Sequence, residues 1–214
     1  MTGDLLTDVE VRVLGTLMEK EATTPEYYPL TLNALVNGCN QKSNRNPGVN
    51  YDVETAERAL EGLRYKNLAL FVTGNGRVDK YAARISETLN LGRREAAVLC
   101  TLLLRGPQTL GEIKDRSERM FEFSDLAEVE TVLAKLEEWE SGPLVKKLAR
   151  QAGQKEVRYT HLLAGEPAPH LSGSSVAAVT PPTRIAQLEQ EVERLRADFD
   201  DLKTRFEVLE AQLR

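Results

Sequence analysis

One order of local signals runs twice through this chain: three short helical patterns, then two extended segments flanking a tight turn. In the first pass Thr7 and Glu10 form a T-x-x-E capping box ahead of Val11, Leu14, Leu17 and Met18, which recur at helical spacing. A turn with Pro25 and Pro29 follows, then a second helix marked by Leu32, Leu35 and Val36 that ends near Gly38. Asp52 is placed to cap a third helix whose Val53, Ala56, Leu60 and Leu63 share a face. Leu68 to Val72 and Val78 to Ala82 then bracket Gly74-Asn75-Gly76, a hairpin signal.

The second pass repeats the order. An apolar helix runs from Leu91 to Arg105 and is stopped by Gly106-Pro107. Thr109 caps a helix carrying Leu110 and Ile113. Ser124 or Asp125 caps a third, with Val129, Val132, Leu133 and Leu136, which Pro143 is expected to end. Leu144 to Leu148 and Val157 to Leu162 bracket Gln151-Ala152-Gly153-Gln154 as a second hairpin. Three helices and a hairpin is the order of a winged helix. The expected fold is therefore mainly α with small β-hairpins: two tandem winged-helix (helix-turn-helix) domains over 1–85 and 86–165.

Residues 166–183 are rich in Pro, Ala, Ser and Gly and read as a flexible linker, its ends about 20–25 Å apart. Residues 184–214 read as a coiled-coil dimerisation helix. Ile185, Val192, Phe199, Phe206 and Leu213 fall every seven residues, and Leu188, Leu195, Leu202 and Leu209 fill the alternate slot. In a parallel pair the flanking charges are all attractive: Arg184 with Glu189, Glu191 with Arg196, Asp198 with Lys203, Arg205 with Glu210. One centred antiparallel register sets Glu191 against Asp198 and Arg196 against Lys203. Each exposed pair contributes only roughly 0.2–1 kcal/mol, so charge selects orientation while the apolar seam supplies stability. The simpler reading is a single amphipathic helix folding back on its own domains. A seam two positions wide per heptad argues against it.

The net charge of −5 falls mostly in the tail. Residues 1–85 carry −1, residues 86–165 carry −1 and residues 166–214 carry −3. The two halves neither demand nor forbid a nucleic-acid surface. No apolar run approaches the roughly 18 residues of a membrane span, and the acidic start, with Asp4, Asp8 and Glu10, is not that of a signal peptide. These features point to the cytoplasm and away from a membrane. Cys39 and Cys100 read as core residues of a reducing compartment. With His161 in a strand and His170 in the linker, they match no metal spacing. No nucleophile–base order or phosphate loop is present, so no catalytic residue, metal or cofactor is expected.

Several longer motifs carry a resemblance. They include Val11-Arg12-Val13-Leu14-Gly15-Thr16-Leu17-Met18-Glu19-Lys20, Leu32-Asn33-Ala34-Leu35 and Cys39-Asn40-Gln41-Lys42-Ser43-Asn44. Leu103-Leu104-Arg105-Gly106-Pro107-Gln108-Thr109, Gly153-Gln154-Lys155-Glu156 and His161-Leu162-Leu163 extend them into the second half. Over about residues 5–165 the chain resembles the YceH-like family of uncharacterised bacterial proteins. The resemblance implies two winged-helix domains and brings no assigned activity. Ala149 and Ala152 stand where the family pattern often has Pro.

Winged helices commonly place the third helix in the DNA major groove and wing cations on phosphate. On that reading the candidate contacts to double-stranded DNA are Asn40, Gln41, Lys42, Asn44, Arg45, Arg58, Arg64, Arg77 and Lys80 in the first half. In the second they are Lys146, Lys147, Arg150 and Lys155. The second half's third helix opposes this use, with Asp125, Glu128, Glu130, Glu137, Glu138 and Glu140 against Lys135 alone. Trp139 at its end reads as packing. Two functions follow: a DNA-binding, transcription-regulating dimer, or an interaction module whose winged helices dock a protein partner. A chain ending near Pro182 is expected to sediment as a monomer and the full chain as a dimer; equal particle masses would remove the coiled coil.

Overall fold

The computed structural model describes residues 5–72, 79–150 and 156–166. The heptad residues 184–214, nearly all of the linker and both hairpin turns lie outside them. Among the described residues the chain is mainly helical, with seven α-helices and two small antiparallel sheets. Helix α1 (Asp8–Thr23) starts at the capping box: Thr7 Oγ1 accepts from Glu10 N at 3.3 Å, and Glu10 Oε2 accepts from Thr7 N at 2.7 Å. It has no polar face through its middle. Every residue from Glu10 to Met18 is buried, so α1 is the central helix of the fold.

A single turn of 3-10 helix (Pro25–Tyr27) leads to strand β1 (Leu30–Thr31) and helix α2 (Leu32–Cys39), which Thr31 caps. Helix α3 (Val53–Tyr65) starts at Asp52, whose side chain accepts from Thr55 N at 2.8 Å, and turns Ala56, Ala59, Leu60 and Leu63 inward. Strands β2 (Ala69–Val72) and β3 (Lys80–Ala83) pair with Leu70 opposite Ala82 and Phe71 opposite Tyr81. β1 adds on the far side of β3, giving the order β1-β3-β2. Phe71 and Tyr81 meet edge to face at 5.4 Å. Neither β1 nor the short helix α4 (Ile85–Thr88) is marked in the sequence. With two and four residues, both are too short to show a period.

The second half keeps the order. Helix α5 (Arg93–Arg105) begins at Gly92 and stops at Gly106, whose φ of 71° is the left-handed conformation that Gly adopts without strain. Helix α6 (Leu110–Ser117) has its own capping box, Thr109 with Glu112. Helix α7 (Leu126–Glu137) is capped by Asp125. It ends at Glu137 with Glu138 as its C-cap, ahead of the expected stop at Pro143, and the Leu144 N–H returns to the Leu136 carbonyl at 2.9 Å. Strands β4 (Val145–Lys147) and β5 (Tyr159–His161) pair with Val145 opposite His161. Trp139 packs on the core and donates its indole N–H to the Leu89 carbonyl at 3.0 Å.

The two halves share one hydrophobic core. α1 and α5 lie side by side, and Leu14, Leu17, Leu99 and Leu102 are inaccessible to solvent between them and their neighbours. Burying each such side chain contributes about 1.5–3 kcal/mol. Gly15 permits the approach: a Cβ there would lie 3.0 Å from Leu104 Cδ2 and 3.2 Å from Leu103 Cβ. The Cys100 thiol donates to the Gly15 carbonyl at 3.3 Å across the same contact. Near the chain start, Leu6 N donates to the Leu163 carbonyl at 2.8 Å, tying the beginning of the first half to the end of the second. Gly15→Val should therefore lower stability by about 1–3 kcal/mol through overpacking. Gly48→Ala, with open space around the new methyl, should stay within about 0.5 kcal/mol. Urea midpoints at a common slope check both.

Candidate functional site

The polar turn after α2 is turned inward. Asn40 clasps Tyr51 twice: its Nδ2 donates to the Tyr51 carbonyl and its Oδ1 accepts from the Tyr51 N–H, both at 2.8 Å. Arg45 is buried, its guanidinium inaccessible to solvent. It donates Nη1 and Nη2 to the two Glu19 oxygens at 3.1 and 2.5 Å, and Nε to the Gly38 carbonyl at 3.2 Å. Arg12, also buried, donates to the Cys39 carbonyl at 3.1 Å and the Pro47 carbonyl at 2.5 Å. Two cations thus sit on the last carbonyls of α2, where the helix dipole is negative and the carbonyls lack helical partners.

The same turn reaches the second half. Asn44 Oδ1 accepts from Arg105, and Asn46 N donates to the Leu104 carbonyl at 2.9 Å, at the end of α5. Gln41 Oε1 accepts from Lys20 at 3.5 Å. Of the five turn residues expected to face DNA, Lys42 alone extends into solvent without such an internal bond among the described residues. The Arg45 guanidinium, expected on phosphate, instead ties the end of α2 to Glu19 of α1, within the first half. Glu19, its carboxylate partner, and Arg12, which bonds the neighbouring Cys39 carbonyl, stand in the sequence only as members of the longer Val11 to Lys20 motif, with no role assigned to either.

The remaining expected contacts are dispersed. On α3 the exposed residues are Val53, Glu54, Glu57, Arg58, Glu61, Arg64 and Tyr65. Arg58 lies 3.8 Å from Glu54, and Arg64 sits over the Phe71 ring at 5.3 Å. Lys66 is taken by Glu10 at 2.6 Å. Lys80 is exposed on β3, and Arg77 lies outside the described residues. In the second half Lys146 pairs with Glu166 at 2.5 Å, Lys147 lies over the Tyr159 ring at 5.8 Å, and Arg150 is exposed. Lys155 lies outside the described residues, and Arg158 joins Glu112 at 2.8 Å. On α7, Leu126, Ala127, Glu130, Thr131 and Ala134 face solvent, as does Glu138 just past its end, while Lys135, also exposed, is bound to Glu95 at 2.6 Å.

Burial pushes the Cys39 and Cys100 thiols up, so both are protonated at neutral pH. Burial likewise lowers His161 to about 4 and keeps its ring neutral. Among the described residues no group of three or more His, Cys, Asp or Glu is placed to hold a metal ion, and no helix is long and apolar enough to cross a membrane.

The elements define a class: a mainly helical protein of two helix–helix–helix–hairpin halves fused through their first helices. The chain belongs to the family described as "Protein of unknown function, DUF480", whose model matches residues 6–154. This agrees with the YceH-like resemblance of its motifs. It is 53% identical over 206 residues to a UPF0502 protein of Solibacter usitatus, covering 92% of this chain and 96% of that protein. It is 49% identical over 217 residues to a UPF0502 protein of Pelobacter propionicus (95% and 99%), and 53% over 194 residues to one of Opitutus terrae (90% and 84%).

The Glu19–Arg45 pair has a measurable signature. Burial alone would raise the Glu19 carboxyl, but its hydrogen bonds to Arg45 and the charges of Arg45 and Lys20 outweigh this and hold it below the ordinary value. A carboxylate depressed by folding stabilises fully above its unfolded pKa of about 4.3 and loses that contribution as pH falls through the lower folded value. Arg45→Ala should cost about 3 kcal/mol, the lower end for breaking a buried pair, because Lys20 at 3.4 Å remains beside the largely buried Glu19. Glu19→Gln should flatten the acid limb of a stability–pH profile measured by urea unfolding.

Proposed function

We propose that this chain is a non-enzymatic, dimeric docking protein of the cytoplasm. Each half is a winged helix whose third helix engages a protein partner with a basic surface, and residues 184–214 join two copies as a parallel coiled coil. The observation that carries this reading is the sign of the exposed faces of α3 and α7. α3 offers Glu54, Glu57 and Glu61 against Arg58 and Arg64, and α7 offers Glu130 and Glu138 beside a Lys135 already paired. A helix lowered into the major groove with such a face meets phosphate repulsion along both strands. The inward use of Asn40, Asn44 and Arg45 supports the same conclusion, because it removes the polar contacts a DNA reading needs next to α3. Two copies of each face on one dimer would raise avidity for a partner that is itself repeated.

A second reading, DNA contact through the hairpins alone, is favoured by the exposed Lys80, Lys146, Lys147 and Arg150. Mobility shift and affinity capture with the full chain separate the two. Docking predicts no retardation of random or genomic duplex at low salt. It also predicts nuclease-insensitive capture of a partner that Glu57→Lys with Glu61→Lys abolishes. Duplex retardation that falls steeply with salt and with Lys146→Ala and Lys147→Ala would replace docking with the DNA reading.

A further inference from the structure

The two halves treat the outer edges of their hairpins differently. β2 is an edge strand in the order β1-β3-β2, and β4 is one in the order β4-β5. Their pairing phase is the same. Arg84 N donates to the Leu68 carbonyl and Leu148 N to the Arg158 carbonyl, both at 2.8 Å. Ala69 and Phe71 on β2, like Val145 and Lys147 on β4, therefore turn their N–H and C=O groups away from the partner strand. The two strands also start alike: Leu68 N returns to the Leu63 carbonyl at 2.8 Å, and Leu144 N to the Leu136 carbonyl at 2.9 Å. Phe71 is thus the counterpart of Lys147, and Arg64, next after Leu63, is the counterpart of Glu137, next after Leu136. In the second half Glu137 Oε1 accepts the outward Lys147 N–H at 2.7 Å and caps that edge. In the first half an arginine stands there, and a guanidinium accepts nothing. It lies over the Phe71 ring at 5.3 Å, and among the described residues nothing accepts from Ala69 N or Phe71 N. Edge strands are ordinarily blunted by charge or proline. β4 carries Lys146 and Lys147, whereas β2 is Ala-Leu-Phe-Val.

An open groove of about 520 Å³ runs along β2, beside the end of α3. Tyr65, 85% exposed, and Leu70 give it an apolar wall, and its charges are Arg64 and Arg84 against Glu61. Arg64 has no carboxylate within ion-pair distance among the described residues, and Arg84 holds the Asn67 side chain at 2.8 Å with exposed Glu87 at 3.6 Å. We propose that β2 is a docking edge for an extended acidic segment of another protein, which adds to the sheet as a fourth strand. Its main chain pairs with Ala69 and Phe71, its apolar side chains rest on Tyr65 and Leu70, and its carboxylates meet Arg64 and Arg84. A phosphate backbone could accept from the two N–H groups but has no regular donors for the two carbonyls. A second copy laid edge to edge would set each groove's arginines toward the same pair in the other copy. This edge is separate from the outward carboxylates of α3 and does not rest on what they meet.

Nuclear magnetic resonance titration of the nitrogen-labelled full chain with a capped peptide alternating valine and glutamate tests the site. A lysine-for-glutamate peptide, a fully N-methylated copy and oligothymidylate serve as further probes. The acidic peptide should shift the Ala69 and Phe71 amide resonances and slow their hydrogen exchange about tenfold or more. The lysine peptide should bind about tenfold more weakly, and the N-methylated copy not at all. Arg64→Glu, at an exposed position, copies the arrangement of the second half; it should abolish peptide binding without lowering the thermal midpoint. Arg84→Gln should weaken binding severalfold. No shift at millimolar acidic peptide, equal binding of the lysine peptide, or binding that survives Arg64→Glu overturns the proposal. So does a shift given by oligothymidylate and not by peptide. Phe71 amide protection that rises with protein concentration in the free chain would seat a second copy on the edge, and overturns it as well.

Discussion

The contact of α1 with α5 at Gly15 is the constraint from which most of the structure follows. A side chain there would press on Leu103 and Leu104, and its absence lets the two helices approach until the Cys100 thiol reaches the Gly15 carbonyl. That approach encloses α1 on all sides, since α2 and α3 already cover its other faces. A helix buried all round carries a specific burden: each polar side chain on it needs a partner inside the fold. Glu10, Arg12, Thr16 and Glu19 are those side chains, and each finds one.

The partners explain the turn between α2 and α3. Arg12 and Glu19 face the end of α2, where carbonyls run out of helical donors. Arg45 completes the set by bonding Glu19 with one side of its guanidinium and Gly38 with the other. The turn delivers Arg45 inward while Lys42, Ser43, Pro47 and Gly48 remain exposed. Asn40 closes its base on Tyr51, while Asn44 and Asn46 reach Arg105 and Leu104 at the end of α5. One short segment thus terminates helices from both halves. It also explains why an amide-rich turn beside a helix need not be a nucleic-acid surface.

What was legible in the sequence was local. The caps at Thr7, Asp52, Thr109 and Asp125 stand where their spacing to the first helical turn placed them, and both hairpins pair as their flanking apolar runs required. A capping box needs only residues three apart, so no distant information is missing. The destination of Arg45 is different in kind. Its partner Glu19 is 26 residues away, and no local pattern separates a turn arginine facing phosphate from one facing a buried carboxylate.

Two halves with one order of elements invite the inference that they do one thing, and order alone cannot carry it. What the halves share beyond order is the sign of a surface. In α3 and α7 alike, the buried stripe is filled by Ala, Val and Leu, so the opposite stripe is free to vary without cost to the core. Both helices nonetheless present carboxylates around small or apolar residues, Val53 in one and Leu126, Ala127 and Ala134 in the other. A rim in which carboxylates alternate with Arg58, Arg64 and Lys135 offers a partner both signs of charge around an apolar centre, so complementarity rather than net charge alone decides what can lie on it.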